Sequence, residues 1–425
     1  MASPEGQECP VAALSDPLPL RCGQVLPNRL MKSALSEALA DGHGPGVRLE
    51  RLYRRWGTGG YGLVITGNVM VDRDYLGEPG NVVIEDDRDL DGLARWAKAA
   101  QDGGSPIWVQ LNHPGRQANP LVTRRRPVAP SAIAPRIPGM VTPRALTEAE
   151  IEDIIDRFAT AATIAEAAGF NGVQIHGAHG YLVSQFLSPL ANQRTDRWGG
   201  DPERRRRFML EIVRRIRTRV TPSFAVGIKL NSADFQRGGF TEAESRSVLE
   251  NLSGEGVDLI EISGGSYESP AMMGRGRIRA ASTRAREAYF LEYAQTVRET
   301  ATDVPLAVTG GFRSRAAMAE AIGSGACDVV GLGRPTCLTT DAAAGVLAER
   351  NDRLPAGTIS FSRRGPLSRI GNFRVLDGAL DLQWHTDQLQ RLGDGADPDP
   401  ARPWWKTLVT MLRRNGIDAF RRKRS

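Results

Sequence analysis

Three groups of residues in this chain have the types and spacing to do chemistry. The run His176-Gly-Ala-His179-Gly-Tyr181 sets two imidazoles three residues apart, with a phenol two residues further on. Histidines at that spacing suit a metal, but no cysteine or carboxylate accompanies them in the run, so no metal is expected. Tyr181 taken alone reads as a core residue hydrogen-bonded at its tip. Lys229 stands in an apolar stretch; an amine there is a fixed cation or, on losing its proton, the nucleophile of a Schiff-base lyase. Gly310-Gly311 and Gly331-Leu-Gly333-Arg334 form the third group. Glycine lets backbone N–H groups approach phosphate oxygens, and an arginine adds a charge-assisted contact. One such loop reads as a tight turn, but two of them with an arginine read as a phosphate site.

The elements that must position these residues follow from hydrophobic periodicity. Eight apolar segments, 29–33, 62–69, 106–111, 172–175, 224–230, 259–263, 305–309 and 329–333, have the length of strands. Several are apolar almost throughout, as parallel strands covered on both faces should be. Helical patterns separate them, for example 47–56, 89–102, 147–168, 241–252, 284–300 and 314–323. Thr147 with Glu150, and Thr241 with Glu244, have the form of capping boxes. Eight strand–helix repeats predict an α/β fold, a (β/α)8 TIM barrel with a C-terminal extension. A doubly wound sheet fits less well, because no G-x-G-x-x-G follows the first strand. Barrel chemistry sits at the carboxyl ends of the strands, and the loops after strands seven and eight commonly hold phosphate. Gln110, Asn112 and His113 follow the third strand there, His176, His179 and Tyr181 the fourth, and Lys229 lies in the fifth.

The barrel is expected over residues 1–349, with a Pro- and Arg-rich excursion at 115–144, and the extension over 350–425 as mixed loop and helix. In the extension, the Gly/Asp/Pro stretch 393–400 precedes Trp404-Trp405-Lys406 and an amphipathic piece with a basic end. Packing on the barrel is the expected fate of this tail; a subunit contact in a homo-oligomer or an anionic membrane surface are the alternatives. No apolar run is long enough to cross a bilayer, and residues 1–20 lack the pattern of a signal peptide, so a cytoplasmic protein without integral membrane segments is expected. The four cysteines, Cys9, Cys22, Cys327 and Cys337, are widely spaced and read as free thiols. The net charge of +6 is concentrated at 204–207, 124–126 and 421–424. The first cluster reads as a solvated helix face, and no interleaved aromatics point to nucleic acid.

The run from His176 through Tyr181-Leu182, continued by Phe186-Leu-Ser-Pro-Leu-Ala-Asn-Gln-Arg-Thr-Asp-Arg-Trp-Gly-Gly200, resembles the signature of the old yellow enzyme family of flavin-dependent ene-reductases. Leu26-Pro-Asn-Arg29, Val109-Gln-Leu-Asn-His-Pro-Gly-Arg116, Thr309-Gly-Gly-Phe312 and Gly331-Leu-Gly-Arg334 match in barrel order, and the resemblance spans residues 25–337. It implies FMN held noncovalently at the barrel mouth, NADH or NADPH as reductant, and a small electron-poor alkene as acceptor.

Carried over by position, the resemblance runs Ser33, Ala34, Leu35 and Ser36 past the flavin ring edges, with Ser36 donating toward the carbonyl near N5. It gives Gly67 the task of leaving room for the ring. Gln110 would bond the pyrimidine edge, Lys229 would sit near N1, and Gly310, Gly311, Gly333 and Arg334 would hold the phosphate. His176 and His179 would bind a carbonyl or nitro oxygen of the substrate, and Tyr181 would protonate its α-carbon. Ala34 stands where the family often has proline, Ser36 where it has Cys or Thr, and Lys229 where it has arginine. The cysteine cluster of larger iron–sulfur relatives is missing from the sequence, so reductant is expected to reach the flavin directly. A noncatalytic flavin-binding protein is the alternative from another class.

Overall fold

The computed structural model describes residues 12–135, 140–264, 290–298, 303–355, 357, 359 and 373–413. Eight parallel strands close into a barrel: β1 (Leu30–Lys32), β2 (Leu63–Met70), β3 (Ile107–Asn112), β4 (Gly172–Gly177), β5 (Ala225–Asn231), β6 (Leu259–Ser263), β7 (Leu306–Thr309) and β8 (Val329–Leu332). Closure comes from β1 pairing with both β8 and β2. Each strand overlaps one of the eight apolar segments. Between them run α1 (Val47–Gly57), α2 (Leu90–Gln101), α3 (Glu148–Ala167), α4 (Pro202–Arg217), α5 (Glu242–Ser253), α6 (Leu291–Arg298) and α7 (Arg315–Gly323). Both expected capping boxes are formed, Thr147 with Glu150 and Thr241 with Glu244. Each threonine cap is worth about 1 kcal/mol. The start of the helix expected at 284–300 lies outside the described residues.

The barrel interior is layered. At the amino ends of the strands, Met31, Leu63, Trp108, Ala225, Leu259, Ala307 and Val329 pack together under Leu18, Leu20 and Leu26 of an N-terminal hairpin. Trp108 fills the centre because two facing positions are glycine: a Cβ at Gly172 or Gly227 would stand 3.0 or 2.8 Å from its ring atoms. Above this apolar floor lies a buried polar layer of Gln110, Gln174, Lys229 and Glu261. Strand register produces it. Gln110 is level with Gln174, and His176, Lys229 and Glu261 stand abreast on β4, β5 and β6.

The C-terminal extension contributes α8 (Phe373–Gly393) and α9 (Trp404–Leu412). Trp384, Leu389 and Leu392 of α8 are buried. Arg48 of α1 pairs with Asp394 at 2.6 Å, and Arg51 donates to the Gly393 carbonyl at 2.7 Å. The tail therefore packs on the barrel through α8. The basic cluster 421–424 and Cys9 lie outside the described residues; Cys22, Cys327 and Cys337 are free thiols. Among the described residues no helix is long and apolar enough to cross a membrane. The arginine run at 204–207 departs from a uniformly solvated face. Arg205 is buried, donating to the Leu187 carbonyl at 3.0 Å and pairing with Glu244.

Candidate active site

A cavity of about 470 Å³ opens at the carboxyl ends of the barrel strands, within the size range of cofactor and ligand sites. Ser33, Ala34, Leu35, Ser36, Gln110, His176, His179, Tyr181, Lys229, Gly310, Gly311, Gly333 and Arg334 all line it. Asn112 and His113 do not. His113 is turned into the protein, where its Nδ1 accepts the Gly115 amide at 3.1 Å and burial pushes its pKa down to about 3.

At one end of the cavity His176, His179 and Tyr181 form a cluster, with His176 ring centroids 5.1 Å from His179 and 4.8 Å from Tyr181. The Ala178 amide donates to His176 Nδ1 at 3.2 Å. That bond assigns the ring proton of the neutral imidazole to Nε2, which becomes a donor. His179 takes a left-handed backbone (φ 61). Its amide donates to Asn231 Oδ1 at 3.2 Å, and its Nε2 contacts Ser263 Oγ at 2.9 Å. Burial, first of all, holds both imidazoles well below their ordinary pKa, and the neighbouring Lys229 cation pushes the same way. Both rings are neutral hydrogen-bonding groups at neutral pH. Tyr181 begins the short helix Leu182–Leu187 and is buried.

Deeper in, Gln110 Nε2 donates to Gln174 Oε1 at 2.7 Å, and Gln174 Nε2 donates to Glu261 Oε2 at 2.8 Å. Lys229 Nζ pairs with Glu261 Oε1 at 2.9 Å. This engagement is the opposite of the unpaired, desolvated amine that a Schiff-base lysine requires. Sequence reasoning passed over Gln174 and Glu261. The available signal was period two: Gln174 precedes His176 and Glu261 precedes Ser263 by two residues, on the same strand faces.

The opposite end of the cavity has the features of an anion site. Gly310 and Gly311 adopt φ 142 and 92, conformations that favour glycine. Arg334 stands at the start of the 3-10 turn Arg334–Cys337, with Gly333 before it. Amide and ammonium groups at one side, and glycine loops with a guanidinium at the other, suit the pyrimidine edge and the phosphate of a flavin nucleotide.

Three expected roles meet a different geometry. Gly67 does not line the cavity: a Cβ there would lie 1.9 Å from Glu37 Oε2 and 2.3 Å from the Leu35 carbonyl oxygen. The space it leaves is taken by Glu37, which accepts the Gly67 amide at 3.0 Å and sits 3.6 Å from the buried Lys32 ammonium. Ser36 lines the cavity, but its hydroxyl donates to Glu78. Arg334 faces the cavity while already paired with Asp381 of α8, Nη1 to Oδ2 at 3.1 Å. The extension thus reaches the site itself, with Gly378, Asp381, Leu382 and Gln383 forming part of the cavity wall. Among the described residues no group of three or more His, Cys, Asp or Glu side chains is placed to hold a metal ion.

The closed parallel barrel and this cavity define the class: a (β/α)8 flavin oxidoreductase. Residues 14–352 match the NADH:flavin oxidoreductase / NADH oxidase family, and the chain belongs to it. It is 42% identical over 344 residues to the NADH-dependent flavin oxidoreductase iliE of Hypocrea jecorina, covering 76% of this chain and 86% of that protein. It is 36% identical over 411 residues to the NADH-dependent flavin oxidoreductase iccE of Talaromyces variabilis, covering 89% and 98%. Among solved structures, morphinone reductase superposes with a TM-score of 0.69 at 25% identity over 82% of this chain and 92% of its own. The old yellow enzyme homologue of Zymomonas mobilis shares the fold, with a TM-score of 0.70 at 24% identity over 82% and 95%. The protein is an oxidoreductase of old yellow enzyme type that uses FMN and a nicotinamide reductant.

Proposed function

We propose that this protein reduces alkenes conjugated to a carbonyl or nitro group, with the acceptor bound against His176, His179 and Tyr181. FMN, when bound, would supply the two-electron chemistry that links the nicotinamide to the alkene. Gln110 and Lys229 would hold its pyrimidine edge, and Gly310, Gly311, Gly333 and Arg334 its phosphate.

The observation that carries this reading is the clustering of two neutral imidazoles and a phenol at one end of the cavity. His176 offers a fixed Nε2 donor, and donors aimed at the substrate oxygen withdraw electrons from the alkene and stabilise the developing enolate. Burial excludes competing water from these hydrogen bonds. The Tyr181 hydroxyl gives its proton to the α-carbon. A phenol, with an ordinary pKa near 10, remains protonated at neutral pH and is acidic enough for a carbanion-like centre.

Anaerobic stopped-flow measurement separates the two half-reactions. NADH should bleach the flavin band in the parent and in His176→Ala at similar rates, whereas 2-cyclohexenone should restore it at least 10-fold more slowly in the variant. Equal losses in both half-reactions would overturn the assignment of His176 to the acceptor.

A further inference from the structure

We infer that Glu261 sets the redox poise of the bound flavin, by neutralising Lys229 and by orienting Gln110 through Gln174. The inference rests on the reading that the flavin's pyrimidine edge lies against Gln110 and Lys229. Both of those cavity residues are tied to one carboxylate. Glu261 Oε1 takes Lys229 Nζ at 2.9 Å, Oε2 takes Gln174 Nε2 at 2.8 Å, and Gln174 Oε1 takes Gln110 Nε2 at 2.7 Å. The two oxygens of Glu261 therefore serve two arms that both end in the cavity wall.

Glu261 is fully buried and stands between Lys229 on β5 and Ala307 on β7. A buried charge costs free energy unless it is paired and hydrogen-bonded, and among the described residues Glu261 meets that condition through Lys229 and Gln174, the residues leading to the cavity. The electrostatic consequence is specific. Two-electron reduction places negative charge near flavin N1, and a bare cation there would favour reduction strongly. With Glu261 beside it, Lys229 keeps its hydrogen-bonding function while the net charge of the pair is zero, so the attraction is attenuated. The flavin is then held at a lower potential, where it gives up hydride more readily. Gln110, with one amide hydrogen committed to Gln174, has its orientation fixed and presents its remaining polar groups in one defined order.

The test is the midpoint potential of FMN in the holoenzyme, measured anaerobically against a reference dye. Glu261→Gln should raise the equilibrium constant for two-electron reduction at least 10-fold, a shift of about 30 mV. Glu261→Asp, which keeps the charge, should stay near the parent. Lys229→Gln should lower the constant, and the double variant Lys229→Gln/Glu261→Gln should return to within about threefold of the parent. That double variant carries no unpaired buried charge, so it tests the inference even where a single variant folds poorly. A melting temperature that falls in Glu261→Gln with an unchanged potential would overturn the inference and leave Glu261 a structural residue. A double variant no different from Lys229→Gln alone would overturn it as well. Bound flavin with the parent potential in Lys229→Gln would instead refute the placement of the pyrimidine edge, and the inference with it.

Discussion

Arg334, which follows the last barrel strand, is held 3.1 Å from Asp381 of the C-terminal extension. The arginine is about one-third exposed and the aspartate almost wholly buried. Asp381 Oδ1 also accepts the Ile359 amide at 3.1 Å, so this carboxylate belongs to the folded wall. Among the described residues one guanidinium nitrogen is committed to the extension, and arginine carries five N–H donors in a fixed fork, enough to serve a ligand as well. The end of the cavity proposed to hold the phosphate is thereby tied to a segment that the barrel fold itself does not supply.

Two substitutions at this pair should move FMN retention in opposite directions. Arg334→Ala removes a charged contact worth about 1.5–3 kcal/mol, so its dissociation constant for FMN should rise at least 10-fold. Asp381→Asn retains the hydrogen-bonding shape and removes a negative charge close to the proposed phosphate position. FMN should then bind at least 10-fold more tightly, because at an effective dielectric near 20 a unit charge about 4–10 Å away is worth about 2–4 kcal/mol. Flavin fluorescence titration of the apoprotein distinguishes them. Equal weakening in both would mean that the pair only braces the wall.

The histidines carry a pH prediction. Burial lowers both pKa values well below 6.5 in the folded protein, so protonation belongs to acid solution, not to the neutral range. Binding of a phenol such as 4-methylphenol, which stays un-ionised well above neutral pH as an ordinary phenol does, should be flat from pH 6 to pH 7.5. The same depression has a stability consequence. Unfolded histidines bind protons below about pH 6.5 while the folded ones do not, so the unfolded state binds more protons and stability falls as the pH drops through that range. His176→Asn should flatten part of that fall, measurable as urea midpoints between pH 5 and pH 7. An unchanged slope in the variant would remove His176 from the account.

The extension offers a third test. Trp384 is 1% exposed, donates from Nε1 to the Arg402 carbonyl at 3.0 Å, and lies where a Cβ on Gly357 would come within 2.5 Å of its ring. Trp384→Ala should cost about 3–5 kcal/mol, as for other buried aromatic truncations. Because Asp381 and Leu382 sit on the same helix, FMN should dissociate faster as well. Thermal denaturation with absorbance at 450 nm reports both. Flavin retained through the loosening of the helix would show that the wall adds nothing to cofactor binding.

The barrel was legible because each strand is a short apolar run closed by turn residues, and two capping boxes fixed helix starts at Thr147 and Thr241. The lining of the cavity was legible where side chains are polar at strand ends, as with His176, Tyr181 and Arg334. Glu261 and Gln174 escaped because their meaning depends on cross-strand register, which links β3 to β6 across more than 150 residues of sequence. Asp381 escaped for a related reason: nothing local in the extension signals that its helix turns one carboxylate toward the barrel mouth. Gly67 shows the converse case, in which glycine permits a close approach, here of Glu37, but local sequence does not say of what.

The most specific expectation concerns Tyr181, whose ring stands 4.8 Å from that of His176. Tyr181→Phe preserves the ring and deletes only the hydroxyl, so flavin reduction by NADH should be nearly normal. Recovery of the flavin band with 2-cyclohexenone should slow by roughly 10²- to 10⁴-fold, the usual contribution of a positioned general acid. Nitroalkenes supply the control, because a nitronate is stable enough to leave without protonation at carbon. A nitroalkene should therefore still restore the flavin band in the variant at an appreciable rate and release a nitronate visible in the near ultraviolet. Cyclohexenone turnover at the parent rate would show that the proton comes from elsewhere, and loss of both acceptors together would place Tyr181 in substrate binding instead.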